Sequence, residues 1–131
     1  MPNYKAILIV ALGGALGSIA RYLLGLLNTS ILPHDLFVST LCVNVIGSTL
    51  IGYLYLLFRH KKSSHHTENF AIVGICGGFT TYSSFMLDNY QLLNSGRVVT
   101  CILYFFGTII LSFAFVFIGA YIGHILHHKY A

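Results

Sequence analysis

Four runs of apolar residues, parted by short polar connections, organise this chain of 131 residues. Residues 36–58, 70–87 and 98–123 carry no charged side chain, and residues 4–27 carry only Lys5 and Arg21. A helix needs about 20 residues to cross the hydrocarbon of a bilayer. The pattern therefore predicts an all-α integral membrane protein whose four transmembrane helices span about 4–27, 36–58, 70–87 and 98–126. The expected connections are a turn around Pro33, a Lys-, His- and Ser-rich stretch at 59–69, and a segment at 88–97 holding the turn signal Asn94-Ser95-Gly96. These connections leave no room for a soluble domain, so 1–131 reads as one four-helix unit. An even number of spans puts both termini and the second connection on one side. No cleaved leader is expected, because the first run is long and leads into further spans.

The runs differ in what interrupts their apolar character. Gly13 with Gly17, and Gly119 with Gly123, have the spacing at which small residues let helices pack closely in lipid. The third run carries Gly74, Gly77 and Gly78 in its middle, then Phe79, Thr80, Thr81, Tyr82, Ser83, Ser84 and Phe85. Such a stretch is a poor continuous helix, and a break is expected between Gly77 and Thr80. Non-helical backbone at membrane depth is tolerated where protein or a water-filled cavity satisfies it. Unwound carbonyls there are ready ligands for a small cation such as Na⁺. Thr40, Asn44 and Ser48 line one face of the second run, and Tyr104, Thr108 and Ser112 line one face of the fourth. Two polar stripes beside a broken helix read as a polar path across the membrane.

Composition narrows the function. Hydrophobic residues make up 56% and charged residues 8%, against roughly 25% charged in soluble domains, so the charges cannot coat a soluble surface. A pI of about 9.1 is better matched to orientation and anionic lipid headgroups than to nucleic acid, since the basic residues sit in connections. Cys42, Cys76 and Cys101 lie in three different apolar runs, with neither disulfide nor metal spacing. His124, His127 and His128 share a helical face that could hold a transition metal, but with His60, His65 and His66 they read as solvated polar ends. No nucleophile, base and orienting group can be assembled, so an enzyme is not expected. Asp35, Glu68 and Asp88 fall in connections or at span ends. Proton-coupled transport generally uses an intramembrane carboxylate or histidine, which disfavours a small multidrug-type exporter, also a four-helix subunit. A lane of hydroxyl and amide donors without fixed negative charge suits a small anion, and aromatic ring edges add weakly positive contacts. A non-conducting structural subunit is the other alternative; it predicts that Asn44 and Phe85 can be replaced without loss.

Three stretches carry a family resemblance: GGALGSIARY at 13–22, TLCVNVIGS at 40–48 and GGFTTYSSF at 77–85. In this order, each on its own span, they resemble the signature stretches of the CrcB/Fluc fluoride channels. The resemblance covers nearly the whole chain. It implies an antiparallel, dual-topology dimer with two fluoride pores and a structural Na⁺ at the dimer interface. That ion would be held by the backbone carbonyls of Gly77 and Thr80 from both subunits. The implied pore residues are Thr40, Asn44, Tyr82, Ser83, Phe85, Tyr104, Thr108 and Ser112, with Arg21 near one membrane face in a vestibule or structural role. Tyr82 stands where the family carries phenylalanine, and Ser84 where it usually carries threonine. The implied function is passive export of fluoride from the cytoplasm through the cell membrane.

Lys and Arg set orientation. Lys5, Arg59, Lys61, Lys62 and Lys129 fall on the side of the termini, and Arg97 and Arg21 on the other. This bias predicts cytoplasmic termini, and with them a partner inserted the other way: a second copy of the chain or a homologous subunit of opposite bias.

Overall fold

The computed structural model describes residues 4–31, 36–61 and 63–128. The turn expected around Pro33, with Asp35, Lys62 and Lys129, lies outside these residues, as do the side chains of His60, Lys61, His127 and His128. The described elements are all helical: α1 (Tyr4–Ile31), α2 (Leu36–Lys61), α3 (His65–Glu68), a π-helical segment (Asn69–Cys76), α4 (Gly77–Phe79), α5 (Tyr82–Asn94) and α6 (Val98–His128). The elements from α3 to α5 form one broken span, so four lengths can cross a membrane: Tyr4–Ile31, Phe37–Arg59, His65–Asn94 and Val98–Leu126.

Glycines fix how these helices pair. A Cβ at Gly13 would stand 2.5 Å from the Phe70 carbonyl oxygen and 3.0 Å from Gly74 Cα, and one at Gly17 would strike the Ile75 carbonyl. The α1 backbone thus lies directly on the third span. Across the molecule, Gly52 faces the Val116 carbonyl, Gly119 the Thr49 backbone and Gly123 the Tyr53 carbonyl. Contacts in both pairs advance together in sequence, so α1 runs parallel to the third span and α2 parallel to α6. In lipid no hydrophobic force joins helices, and close van der Waals contact across small residues takes its place. On the opposite surface of α6, Leu103, Phe106, Ile110, Phe113 and Phe117 form an exposed apolar stripe at helical spacing.

The third span breaks, and the extended residues are Thr80 (φ −72°, ψ 156°) and Thr81 (φ −149°, ψ 121°). Gly77 and Gly78 themselves stay helical. At Gly78 smallness serves approach rather than unwinding, since a Cβ there would meet the Gly14 backbone, whereas one at Gly77 would come no nearer than 3.9 Å to the Ile72 carbonyl oxygen. Before the break the backbone winds as a π-helix over eight residues, a form usually confined to single turns and often found at functional sites. After it, Thr81 Oγ1 accepts the Ser84 N–H at 3.1 Å and caps α5.

Sequence pattern and structure part at Asp88. It was expected to open a connection at 88–97, yet α5 continues to Asn94. Asp88 lies inside the helix, where its carboxylate accepts the Tyr104 hydroxyl at 3.0 Å. The stop is Gly96, at φ 74°. There Arg97 N–H reaches the Leu92 carbonyl at 2.9 Å and Gly96 N–H the Leu93 carbonyl at 3.0 Å, the paired closure of a Schellman end. Phe85, Leu92, Cys101 and Tyr104 form the buried core between α5 and α6, with Phe37, Leu41, Met86 and Phe105 packed around it.

Candidate functional site

At the level of the break, α2, α5 and α6 enclose a groove of about 350 Å³. Its lining brings together Asn44, Gly47 and Ser48 of α2, Thr80, Thr81, Tyr82 and Phe85 of the third span, and Thr108 and Ser112 of α6, with Ile51 and Ile109. Six of the expected site residues therefore meet on one surface: Asn44, Thr80, Tyr82, Phe85, Thr108 and Ser112.

Asn44 anchors the break. Its Nδ2 donates to the Thr81 carbonyl at 2.9 Å, and its Oδ1 accepts the Thr81 N–H at 2.8 Å. One side chain thus satisfies both polar groups of an unwound residue, as buried backbone requires. Thr80 is held from its other side, where its N–H and hydroxyl both donate to the Cys76 carbonyl, at 3.0 and 2.8 Å. Its methyl lies where a Cβ on Gly47 would be.

The α6 stripe behaves differently. Thr108 is 4% exposed, and neither its Oγ1 nor the buried Ser112 Oγ has a hydrogen-bond partner among the described residues. A buried hydroxyl without a partner costs about 1–3 kcal/mol. These two sit one helical turn apart, open to the same groove, free to donate to whatever passes.

Aromatic rings close one end. Phe85 is 3% exposed; it stacks on Phe105 at 5.5 Å and meets Tyr104 edge-on at 5.2 Å. Tyr82, 73% exposed, lies 6.1 Å from Phe85, its ring tilted by 55° and turned outward. Beyond Phe85, the Tyr104 hydroxyl donates to Asp88 at 3.0 Å. Thr40 and Tyr104 are buried and lie outside the groove lining. Ser83 is exposed beside the cap, 3.4 Å from Thr81 Oγ1. Gly77 is exposed at the surface just before the break. Arg21 is half-buried on α1, away from the groove lining.

A family profile described as CrcB-like protein, Camphor Resistance (CrcB), matches residues 8–120. The chain belongs to the CrcB family. Among CrcB relatives, one from Thermus thermophilus is 43% identical over 116 residues, covering 88% of this chain and 93% of its own. Others come from Nitrobacter winogradskyi, 42% identical over 111 residues (84% and 88% of the two chains), and Chlorobium chlorochromatii, 42% over 114 residues (86% and 88%). All three carry the name fluoride-specific ion channel FluC. With four spans and this membership, the chain is a multi-pass membrane protein.

Three contributors to the site in this CrcB chain carry no mark of that role in the sequence. Gly47 was visible only as part of the TLCVNVIGS stretch, yet it makes room for Thr80. Thr81 was one hydroxyl in a run, with nothing in sequence to mark it as the residue Asn44 grips. Asp88 reads in sequence as part of a connection or span end, and only its bond from Tyr104 ties it to the buried core.

Proposed function

We propose that the chain is one subunit of a fluoride-selective channel that lets fluoride leave the cytoplasm passively. The observation that carries this reading is the pair of buried, uncommitted hydroxyls, Thr108 and Ser112, on a groove with no charged lining residue. A small, strongly hydrated anion must exchange its water for donors, and hydrogen bonds to a charged partner are the strong ones. Hydroxyls on one wall and an aromatic cluster at the end provide that exchange without fixed charge. An inside-negative potential then drives the anion outward, at about 2.3 kcal/mol per charge for each 100 mV.

The groove opens onto the outside of the subunit, with Tyr82 at its rim. This supports a pore completed by a second subunit, in an antiparallel, dual-topology dimer in the cell membrane. The Lys and Arg bias supports cytoplasmic termini for this chain. It favours a homologous partner of opposite bias as strongly as a second copy. The residues also suit the structural Na⁺ that the resemblance implies: the donor that a continuing helix would aim at the Gly77 carbonyl is Thr81 N–H, and Asn44 has taken it. The extended ψ of Thr80 likewise turns its carbonyl off the helix axis. Gly77 and Thr80 would hold the ion, which supplies positive charge to neutralise converging carbonyl dipoles.

The test is fluoride efflux from liposomes holding the purified chain, read with a fluoride electrode at a set potential. We expect efflux with fluoride inside and none with chloride. No fluoride flux, from this chain alone or mixed with a homologous subunit, would refute the channel. Accessibility of terminal tags in intact cells tests orientation: labelling from one side supports a homologous partner, and equal labelling from both sides the homodimer.

A further inference from the structure

We propose that Asn44 is a positioning residue for the cation seat, so that the wall of the anion groove and the Na⁺ ligands are built by one side chain. The proposal rests on the cation reading above and deepens it: Asn44 governs both expected ligands, so that ion retention and the anion groove depend on one side chain. Three contacts carry it. Asn44 Oδ1 holds Thr81 N–H at 2.8 Å, and a continuing helix would spend that donor on the Gly77 carbonyl. Asn44 Nδ2 holds the Thr81 carbonyl at 2.9 Å, which keeps the segment extended and Thr80's own carbonyl turned away from α5. One turn along α2, Gly47 leaves the space that the Thr80 methyl fills. The same face of α2 thus frees one expected ligand and seats the other. With both Asn44 oxygen and one amide hydrogen engaged by Thr81, only its second Nδ2 hydrogen remains for a passing anion.

Two properties become linked that would otherwise be independent. Loss of the Asn44 amide should weaken Na⁺ retention as well as anion flux, because Thr81 N–H regains the option of closing onto Gly77. A purely pore-lining asparagine would affect flux alone. A merely structural one would lower stability equally in every salt.

The experiment follows thermal unfolding of the purified full-length protein in detergent, in choline chloride, KCl and graded NaCl. Wild type should gain stability with Na⁺ and not with K⁺. Asn44→Leu should shift the Na⁺ midpoint upward by about tenfold or more, from the loss of two buried hydrogen bonds. Asn44→Asp keeps the acceptor for Thr81 N–H and should retain most of the Na⁺ response. Absence of any Na⁺ response in wild type refutes the cation reading itself, and this inference with it. A wild-type response that survives unchanged in Asn44→Leu overturns the inference alone. Should Asn44→Leu fail to fold, amide hydrogen exchange in wild type decides: Thr81 N–H must be protected without Na⁺, and rapid exchange there overturns the proposal.

Discussion

Replacing Thr108 with valine should make the protein more stable and worse at passing fluoride. The substitution is nearly isosteric and exchanges a hydroxyl for a methyl. Thr108 is 4% exposed and its Oγ1 has no partner among the described residues, so wild type carries the desolvation cost of an unmet hydroxyl, about 1–3 kcal/mol. Valine removes that cost without opening a cavity. The gain falls toward the low end of the range, because groups in a membrane find other partners even when the helices separate. The anion, however, loses a donor whose hydrogen bond to a charge is worth about 1.5–3 kcal/mol. If the loss falls at the barrier, flux drops by roughly 10- to 150-fold. Thermal unfolding in detergent and liposome efflux on the same preparation give both numbers. Raised stability with unchanged flux would take Thr108 off the anion path. Lowered stability would mean the hydroxyl has a partner, and the reasoning from uncommitted donors would fail.

Phe85→Ala should lower stability by about 3–5 kcal/mol, since the ring packs in the core, whereas the exposed Tyr82→Phe should change stability by less than about 0.5 kcal/mol and leave flux intact; thermal unfolding separates the two. Gly52→Val drives a side chain into the Val116 carbonyl and should cost at least about 1–3 kcal/mol, read as loss of a monodisperse peak on size exclusion. Asp88→Asn keeps an acceptor for Tyr104 and should leave fluoride efflux independent of an imposed pH gradient, as in wild type. Efflux that follows the gradient in wild type and loses that dependence in Asp88→Asn would favour a proton-coupled exporter instead.

Much of this protein was legible along the chain because the bilayer imposes local rules. In lipid a backbone polar group finds no water, and a continuous helix is the form that meets nearly all of them locally, so apolar length alone marks four spans. The spacing of Gly13 with Gly17 and of Gly119 with Gly123 named the contact faces in advance, since in lipid only small residues admit another backbone. The polar stripes of α2 and α6 followed from the helical repeat, and the run after Gly77 announced a break.

What the chain could not disclose are relations between spans. Gly77 and Gly78 marked the break, but its extended residues are Thr80 and Thr81, because the hydrogen bonds that hold the chain open come from Asn44 on α2, 37 residues away in sequence. Helical periodicity put Thr40, Asn44 and Ser48 in one stripe, and Tyr104, Thr108 and Ser112 in another, as if each were a single lane. Packing divides them: Tyr104 is tied to Asp88 and Thr40 is buried off the groove, while Thr108 and Ser112 stay uncommitted on it. Whether a polar side chain is a structural tie or a free donor depends on what the neighbouring helix brings opposite it. That is set by the parallel register of α2 with α6 and of α1 with the third span, which backbone contact at the glycines fixes and no single span encodes.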